Sequence, residues 1–374
     1  MNKKNFKILF ISRAYPPVIG GIENQNYGIG KALSQIAEVR IIANRRGKKF
    51  LPFFILSAYF QSLFSLWKYD VVLFGDGVLS PLGPLLKLFH PKKRFFSIIH
   101  GLDITYAQKN TFLGKIYRKI NIPSLKKLDK LIMVGNHTIS EAEKAGIPKE
   151  KCFFIPNGFD LYSIYEKHSR KELEDLLNIR LEGKKVMLRV GRFVRHKGLL
   201  WFIKNVMPKL SSDYVLIAAG GRVARKTAGD SDIYPECEKV IKELGLENRV
   251  FLFANMPQEK MNVLFNAVDI FISPNIKVPG SMEGFGINAI EGAACRKVVV
   301  ASRLEGLRDA IYDGKNGFLV DPEDADKWKR KIEAIMEADD FRSAFGERAQ
   351  KFTIENFSWQ KIALKYLDLL EKEA

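Results

Sequence analysis

Cysteine is scarce in this chain. The three thiols, Cys152, Cys237 and Cys295, stand far apart in 374 residues and are odd in number. Neither a disulfide framework nor a zinc site fits that spacing, and a reducing cytoplasm is the expected compartment. Several catalytic signatures are missing too. There is no GxxxxGK[ST] loop, which argues against P-loop ATP chemistry, and no GxSxG elbow, HExxH pair or paired His/Cys spacing. GIGKAL at Gly28 lacks the third glycine of a dinucleotide fingerprint and falls in a helix-like run, which speaks against an NAD site. The opening MNKKNFKILFISRAYPP passes from lysines straight into an apolar strand and does not read as a secretory leader. Acid is in deficit: 60 Lys and Arg face 42 Asp and Glu, a net charge of +18.

What is present is a well-cored chain, 47% hydrophobic, of a length that suits two domains of roughly 150–200 residues each. Short apolar runs alternate with helix-like segments, the pattern of parallel sheets covered on both faces. Strands are expected at FKILFIS, AEVRIIA, DVVLFG, RFFSIIH, KLIMVG and CFFIPN. A second series runs through KKVMLRVG, YVLIAAGG, RVFLFA, DIFISP, RKVVVAS and GFLV. The fold class is therefore α/β, with two doubly wound, Rossmann-like domains. The polar stretch before residue 184 places their division within 165–183, and FSWQKIALKYLDLLEKEA has the spacing of an amphipathic closing helix.

Three loops carry the chemistry. In SPNIKVPGSMEGFGINAIEGAACR, Gly284 and Gly286 let backbone approach a ligand, and a helix begins near Phe285–Gly286 with its amide end toward an anion. Glu283 and Glu291 flank that start. They suit either hydroxyl recognition or plain capping and solvation. RVGRFVRHKGLL sets Arg192 and Lys197 five apart after a strand, two cations for a diphosphate or ordinary surface charge. AYPPVIGGIENQ puts Gly20 and Gly21 between the first strand and first helix, a tight turn that can also admit a ligand. The acidic triplet Asp230–Asp232 reads as a solvated loop rather than a metal site.

The basic excess is concentrated. Residues 91–130 carry Lys92, Lys93, Arg94, Lys109, Lys115, Arg118, Lys119, Lys126, Lys127 and Lys130 against Asp103 and Asp129. Such a field favours an anionic partner. No recognition motif or aromatic platform accompanies it, so nucleic acid is not the expected one. NRRGKKFLPFFILSAYFQSLFSLWKYD joins Arg45, Arg46, Lys48 and Lys49 to an apolar run ending at Trp67. Pro52, Gln61 and several serines argue against a spanning helix. Residues 45–67 then either dip into an anionic membrane surface, helped by 91–130, or cover the sheet as an ordinary helix.

Taken together and in order, PPVIGGIE, HGLD, IPNGFD, VGRFVRHKG, EGFGINAIE and DGKNGFLV resemble the nucleotide-sugar glycosyltransferases of family 4 over essentially the whole chain. The resemblance implies a retaining enzyme of GT-B fold. Residues 1–175 would form an acceptor-binding domain, completed by 356–374, and 176–355 a donor-binding domain. It implies Arg192 and Lys197 at the diphosphate, Glu291 at the ribose and Glu283 at the donor sugar. Phe285, Gly286 and Ile287 would supply backbone, Gly20 and Gly21 the amino-domain glycine loop, and Met256 a contact to the base. His100 would sit at sugar and acceptor, and Asn157 in the PNG loop. No metal or cofactor is expected beyond a UDP- or GDP-sugar donor. The acceptor would be a saccharide, lipid-linked, with the protein cytoplasmic or peripheral on the inner membrane face. The chain departs from the family at Gly135, usually Ser, at Glu305, usually Gly, and at Asp309, usually Glu. A GT-B epimerase, a phosphorylase, an NAD oxidoreductase and a nucleic-acid-binding protein are the rival classes.

Overall fold

The computed structural model describes residues 6–18, 20–108, 110–160, 165–223 and 231–374. It forms two compact units, one of residues 1–159 with 357–374 and one of 160–356. The boundary expected at 175 falls inside the first helix of the second unit.

The first unit runs β1 (Lys7–Ser12), α1 (Gly21–Ile36), β2 (Glu38–Ala43), α2 (Leu51–Ser65), β3 (Val71–Phe74), α3 (Leu82–Lys87) and β4 (Arg94–Ile99). It continues through α4 (Leu102–Thr105), α5 (Phe112–Lys127), β5 (Lys130–Met133), α6 (Asn136–Lys144) and β6 (Cys152–Phe154). The strands are all parallel, in the order β2-β1-β3-β4-β5-β6. Both faces of this sheet are covered, so its inner strands read as unbroken apolar runs, while the edge strand β2 alternates exposed Glu38 and Arg40 with more buried residues. On one face Leu9, Ile11, Val72, Phe74, Phe95, Leu131 and Met133 pack with Phe54 and Ala58 of α2, Leu82 and Leu86 of α3, and Ile122 and Leu125 of α5.

The second unit runs α7 (Arg170–Leu177), β7 (Lys185–Val190), α8 (Leu199–Asn205), β8 (Tyr214–Gly220), α9 (Tyr234–Glu243), β9 (Val250–Ala254), α10 (Gln258–Ala267) and β10 (Ile270–Ser273). It ends with α11 (Ile287–Ala294), β11 (Val298–Ser302), α12 (Leu307–Ala310), β12 (Phe318–Val320), α13 (Ala325–Met336) and α14 (Asp339–Phe357). Its parallel strands lie in the order β12-β11-β10-β7-β8-β9. Ser169 opens α7 with a capping box to Glu172, satisfying two orphan donors at once.

The chain then returns to the first unit as α15 (Trp359–Glu373). The crossing segment is pinned there: Phe159 N–H donates to Phe357 O at 3.1 Å and Trp359 N–H to Phe159 O at 3.3 Å. α15 packs along α1, where glycines make room for the Trp359 indole. A Cβ on Gly28 would stand 2.2 Å from it, and one on Gly158 2.5 Å.

Candidate active site

In a doubly wound sheet the chain winds away in both directions from one pair of central strands, and loops at the carboxyl ends of that pair splay apart to leave a crevice. In the second unit this pair is β7 and β10. The loop after β7 carries Arg192 and Lys197, and the loop after β10 carries Asn275 and Glu283, so two separate stretches of sequence meet at the reversal.

The contact between them is an ion pair. Lys197 Nζ donates to Glu283 Oε2, and Asn275 Nδ2 donates to the same oxygen at 2.9 Å. Burial works to raise the Glu283 pKa. The nearby charges of Lys197 and His196, with the hydrogen bonds from Lys197 and Asn275, nevertheless hold it below the usual carboxylate range. The Glu283 backbone is held as well: its N–H donates to Glu305 Oε2 at 2.7 Å and its carbonyl accepts from Gly306 N–H at 3.1 Å. Glu305 also accepts from Lys277 Nζ at 2.8 Å. The departure from glycine at 305 therefore has a task, although the residue sits in left-handed backbone at φ 46°.

Two close approaches fix the β7 loop. Gly198 has φ 70°, and a Cβ there would lie 1.6 Å from the carbonyl oxygen of Pro274, so only glycine lets the Lys197 turn close against the β10 loop. Arg189 is fully buried in β7 and donates to the carbonyl oxygens of Gly191 and, at 3.0 Å, Arg192. Burial without a carboxylate bonded to it pulls this guanidinium down to about 10. Arg192 itself is exposed on this braced backbone.

α11 begins at Ile287, with Gly286 as its N-cap at φ 96°. No side chain caps it, so its first turn presents backbone amides and the positive end of the dipole. Glu283 is thus a partner of Lys197 and not a cap. Asn288 Nδ2 donates to Val190 O at 2.9 Å and ties this helix to the end of β7. Glu291 lies one turn in. The residue is half-buried, and burial of its carboxyl pushes its pKa up to about 7. Phe285 is buried, and Met256 is half-buried in the loop after β9.

In the first unit the reversal falls between β1 and β3. Gly20 is the N-cap of α1, again without a side-chain cap, and Gly21 is its first residue, with open space where a Cβ would be. His100 follows β4. Its N–H donates to Asp103 Oδ2 at 2.7 Å and its Nε2 lies 3.0 Å from Gly75 O. A carbonyl only accepts, so Nε2 is the donor in this contact. His100 and Asn157 line one small recess with Gln25, Asn26 and Trp359. The side-chain oxygens of Gln25 and Asn26 are buried there without a partner.

Beneath His100 lies a polar group that the sequence reading missed: Arg13 Nε donates to the buried Asp76 at 2.9 Å, with Asp103 nearby. Burial pushes Asp76 up against the pull of Arg13. Asn275, Arg189 and the Glu305 carboxylate were missed too. The asparagine and Asp76 directly follow apolar strands, in SPN and FGDG, and that position was the available signal. Of the acidic triplet, Asp230 lies outside the described residues, while Asp232 is bound by Arg222 at 2.9 Å. Among the described residues no group of three His, Cys, Asp or Glu is placed to hold a metal ion.

Two doubly wound parallel-sheet units, each with glycine-shaped loops and an uncapped helix start at its strand reversal, define the GT-B class of glycosyltransferase fold. Family comparison narrows this. The model described as Glycosyltransferase Family 4 matches residues 3–162, and the one described as Glycosyl transferases group 1 matches 174–352. The chain belongs to glycosyltransferase family 4 and is a glycosyltransferase. It is 24% identical over 333 residues to an uncharacterized glycosyltransferase of Methanocaldococcus jannaschii, covering 84% of this chain and 78% of that one. A D-inositol 3-phosphate glycosyltransferase of Corynebacterium kroppenstedtii is 32% identical over 190 residues, which is 49% of this chain and only 39% of that protein. Among solved structures, Anabaena HepE, crystallised with UDP and with UDP-glucose, superposes with a TM-score of 0.77 at 19% identity, over 98% of this chain and all of that one.

Proposed function

We propose that this glycosyltransferase moves a hexose, with retention and without a metal, from a nucleoside-diphosphate sugar to a saccharide acceptor carried on a lipid. It would act in cell-surface glycan or glycolipid assembly, in the cytoplasm at the inner membrane face. The observation that carries the donor reading is the constellation at the β7/β10 reversal: Lys197, Asn275 and Glu283 bonded together beside an uncapped α11. A diphosphate supplies the anion that such a place lacks. UDP is the first candidate because HepE holds UDP and UDP-glucose.

In this reading Arg192, Lys197 and the amides of Phe285, Gly286 and Ile287 take up charge as the sugar C1–oxygen bond breaks and its electron pair leaves with the diphosphate. Glu283 orients the sugar hydroxyls, Glu291 the ribose and Met256 the base. The acceptor oxygen bonds to C1 on the face the diphosphate leaves, and its proton passes to a departing phosphate oxygen. His100 positions the sugar and acceptor, its ring already tethered to Gly75 O. Gly20, Gly21 and Asn157 complete the acceptor-side loops.

Thermal shift against UDP, GDP, ADP, NAD and a short oligonucleotide tests the class, followed by a donor screen read as sugar hydrolysis. Stabilisation by a nucleoside diphosphate alone is the expected result. Response only to NAD or the oligonucleotide refutes the reading, and conversion of a UDP-sugar to its epimer without hydrolysis or transfer replaces it with an epimerase.

A further inference from the structure

α2 is apolar over most of its circumference, with Gln61 bonded to Ser57 as a narrow polar strip, yet only one side of it is used by the fold. Phe54 and Ala58 enter the core and Leu51, Ile55, Tyr59 and Leu63 pack against it. The opposite side shows Phe53, Leu56, Phe60 and Phe64, and Trp67 in the turn that follows continues the 3, 4, 4 and 3 spacing as one exposed stripe. Two apolar faces on one helix are ordinarily both covered, by protein or by lipid. Residues Lys48–Lys68 are long and apolar enough to cross a membrane by length and composition. Spanning is ruled out, because one side of the helix is already committed to the core above the sheet.

The stripe does not stand alone. α3 packs on α2 and α5 packs on α3, all three over the same sheet face. α3 and the turn after it expose Leu85, Leu88 (76%) and Phe89, and α5 exposes Phe112 (78%), Ile116 and Ile120 at four-residue spacing. Cations frame these groups. Arg46 lies 4.8 Å over the Phe50 ring and Lys68 5.0 Å over the Trp67 ring, one at each end of the stripe. Lys48, Lys49, Lys92, Lys115, Lys119, Lys126 and Lys127 are exposed on or beside the same helices. Between Arg45 and Leu128 the only acids are Asp70, Asp76 and Asp103. The last two are buried, and Asp70 accepts from the Lys7 N–H at 2.8 Å.

We propose that the outer face of α2, α3 and α5 is a monotopic docking surface for an anionic lipid bilayer. Aromatic and leucine side chains enter the headgroup–acyl boundary, and the lysine frame neutralises lipid phosphates. A protein partner would be expected to meet acids among these cations. A surface with apolar mass at its centre and positive charge alone around it is complementary to an acidic bilayer. The inference bears on the lipid-linked acceptor proposed above but stands on the surface itself, and lipid binding can be read without any transfer activity.

The test is co-flotation of the full chain with vesicles of phosphatidylcholine alone or mixed with phosphatidylglycerol, at low and high salt, with tryptophan emission recorded. Binding is expected on the mixed vesicles, weakened by salt and weaker still on phosphatidylcholine alone. Trp67 is the one strongly exposed tryptophan among the four, so the emission shift to shorter wavelength should vanish in Trp67→Phe while flotation persists. Phe64→Ser should reduce partition about tenfold or more, and Lys48→Gln with Lys49→Gln about fivefold per charge. Donor hydrolysis by Phe64→Ser should match wild type, which shows that the variant is folded. Absence of binding to the mixed vesicles at low salt overturns the proposal. So does binding that Phe64→Ser and Phe53→Ser leave untouched, or a dimer dispersed by Phe64→Ser in a protein that ignores vesicles.

Discussion

At the scale of single residues, Glu283 and Glu291 sit eight positions apart and their pKa values are shifted in opposite directions. Paired with Lys197, Glu283 is held low, so its stabilising contribution is full above the ordinary carboxylate pKa and is lost as pH falls through the depressed folded value. Glu291 is raised from 4.5 to about 7. Between those values the unfolded chain loses a proton that the folded one keeps, so folding is progressively disfavoured as pH rises, by up to about 3 kcal/mol once pH passes 7. Urea titrations across that window should show Glu291→Gln gaining on wild type toward alkaline pH, and a constant difference would refute the enclosed carboxyl. If Glu291 accepts both ribose hydroxyls, UDP affinity in wild type should rise with pH to about 7 and then level, measured by calorimetric titration. Arg192→Ala is expected to lower turnover about a hundredfold or more, the scale for losing one donor to a transition state, and near wild-type turnover would remove Arg192 from the mechanism. Arg192, Lys197 and the glutamates could be picked out because each is a charged residue beside a glycine in or just after a loop that follows an apolar strand. Arg189 was not, since nothing in VMLRVG separates a buried arginine from one whose head reaches water.

At the scale of elements, left-handed glycines differ in what they make possible. Gly198 and Gly245 have nearly the same φ, 70° and 64°, but a Cβ on Gly198 meets Pro274 O at 1.6 Å and one on Gly245 meets nothing within 4 Å. Gly245→Ala should therefore cost about 1 kcal/mol, the conformational term alone. Gly198→Ala adds a backbone collision and is expected to cost about 4 kcal/mol or more while carrying Lys197 away from Glu283. Chemical denaturation of the two variants measures the contrast, and equal losses would mean the β7 and β10 loops are not locked together. The same scale explains what the sequence disclosed. Most of the twelve strands were visible because a strand buried on both faces is a continuous run of Val, Ile, Leu and Phe, and the edge strand β2 through its alternation of Glu38 and Arg40 with apolar residues. α14 was passed over because its apolar residues, Phe341, Phe345, Phe352 and Phe357 among them, are scattered round the helix rather than gathered on one stripe. α2 posed the opposite problem: its composition fits both a sheet cover and a membrane face, and only the fold shows that one side is used and the other left exposed.

At the scale of the whole molecule, the carboxyl-terminal helix belongs to the unit that the amino terminus begins. α15 buries Ile362, Ala363, Tyr366, Leu367, Leu369 and Leu370, and its Trp359 fills the space left by Gly28 and Gly158. Removing it strips α1 of its neighbour and leaves the second unit's core intact, since that core is drawn from residues between Met187 and Ala349. A chain ending at Phe357 should consequently lose stability in one unit only. Wild type is expected to show two calorimetric transitions, or one with a resolvable shoulder. UDP should raise the transition of residues 160–356, because Arg192, Lys197, Glu283 and Glu291 all lie there. Truncation should lower the other transition by many degrees and leave the UDP response in place. A truncated chain in which both transitions fall together would show that the two units fold as one cooperative body, and the assignment of nucleotide binding to the second unit would then need a different proof.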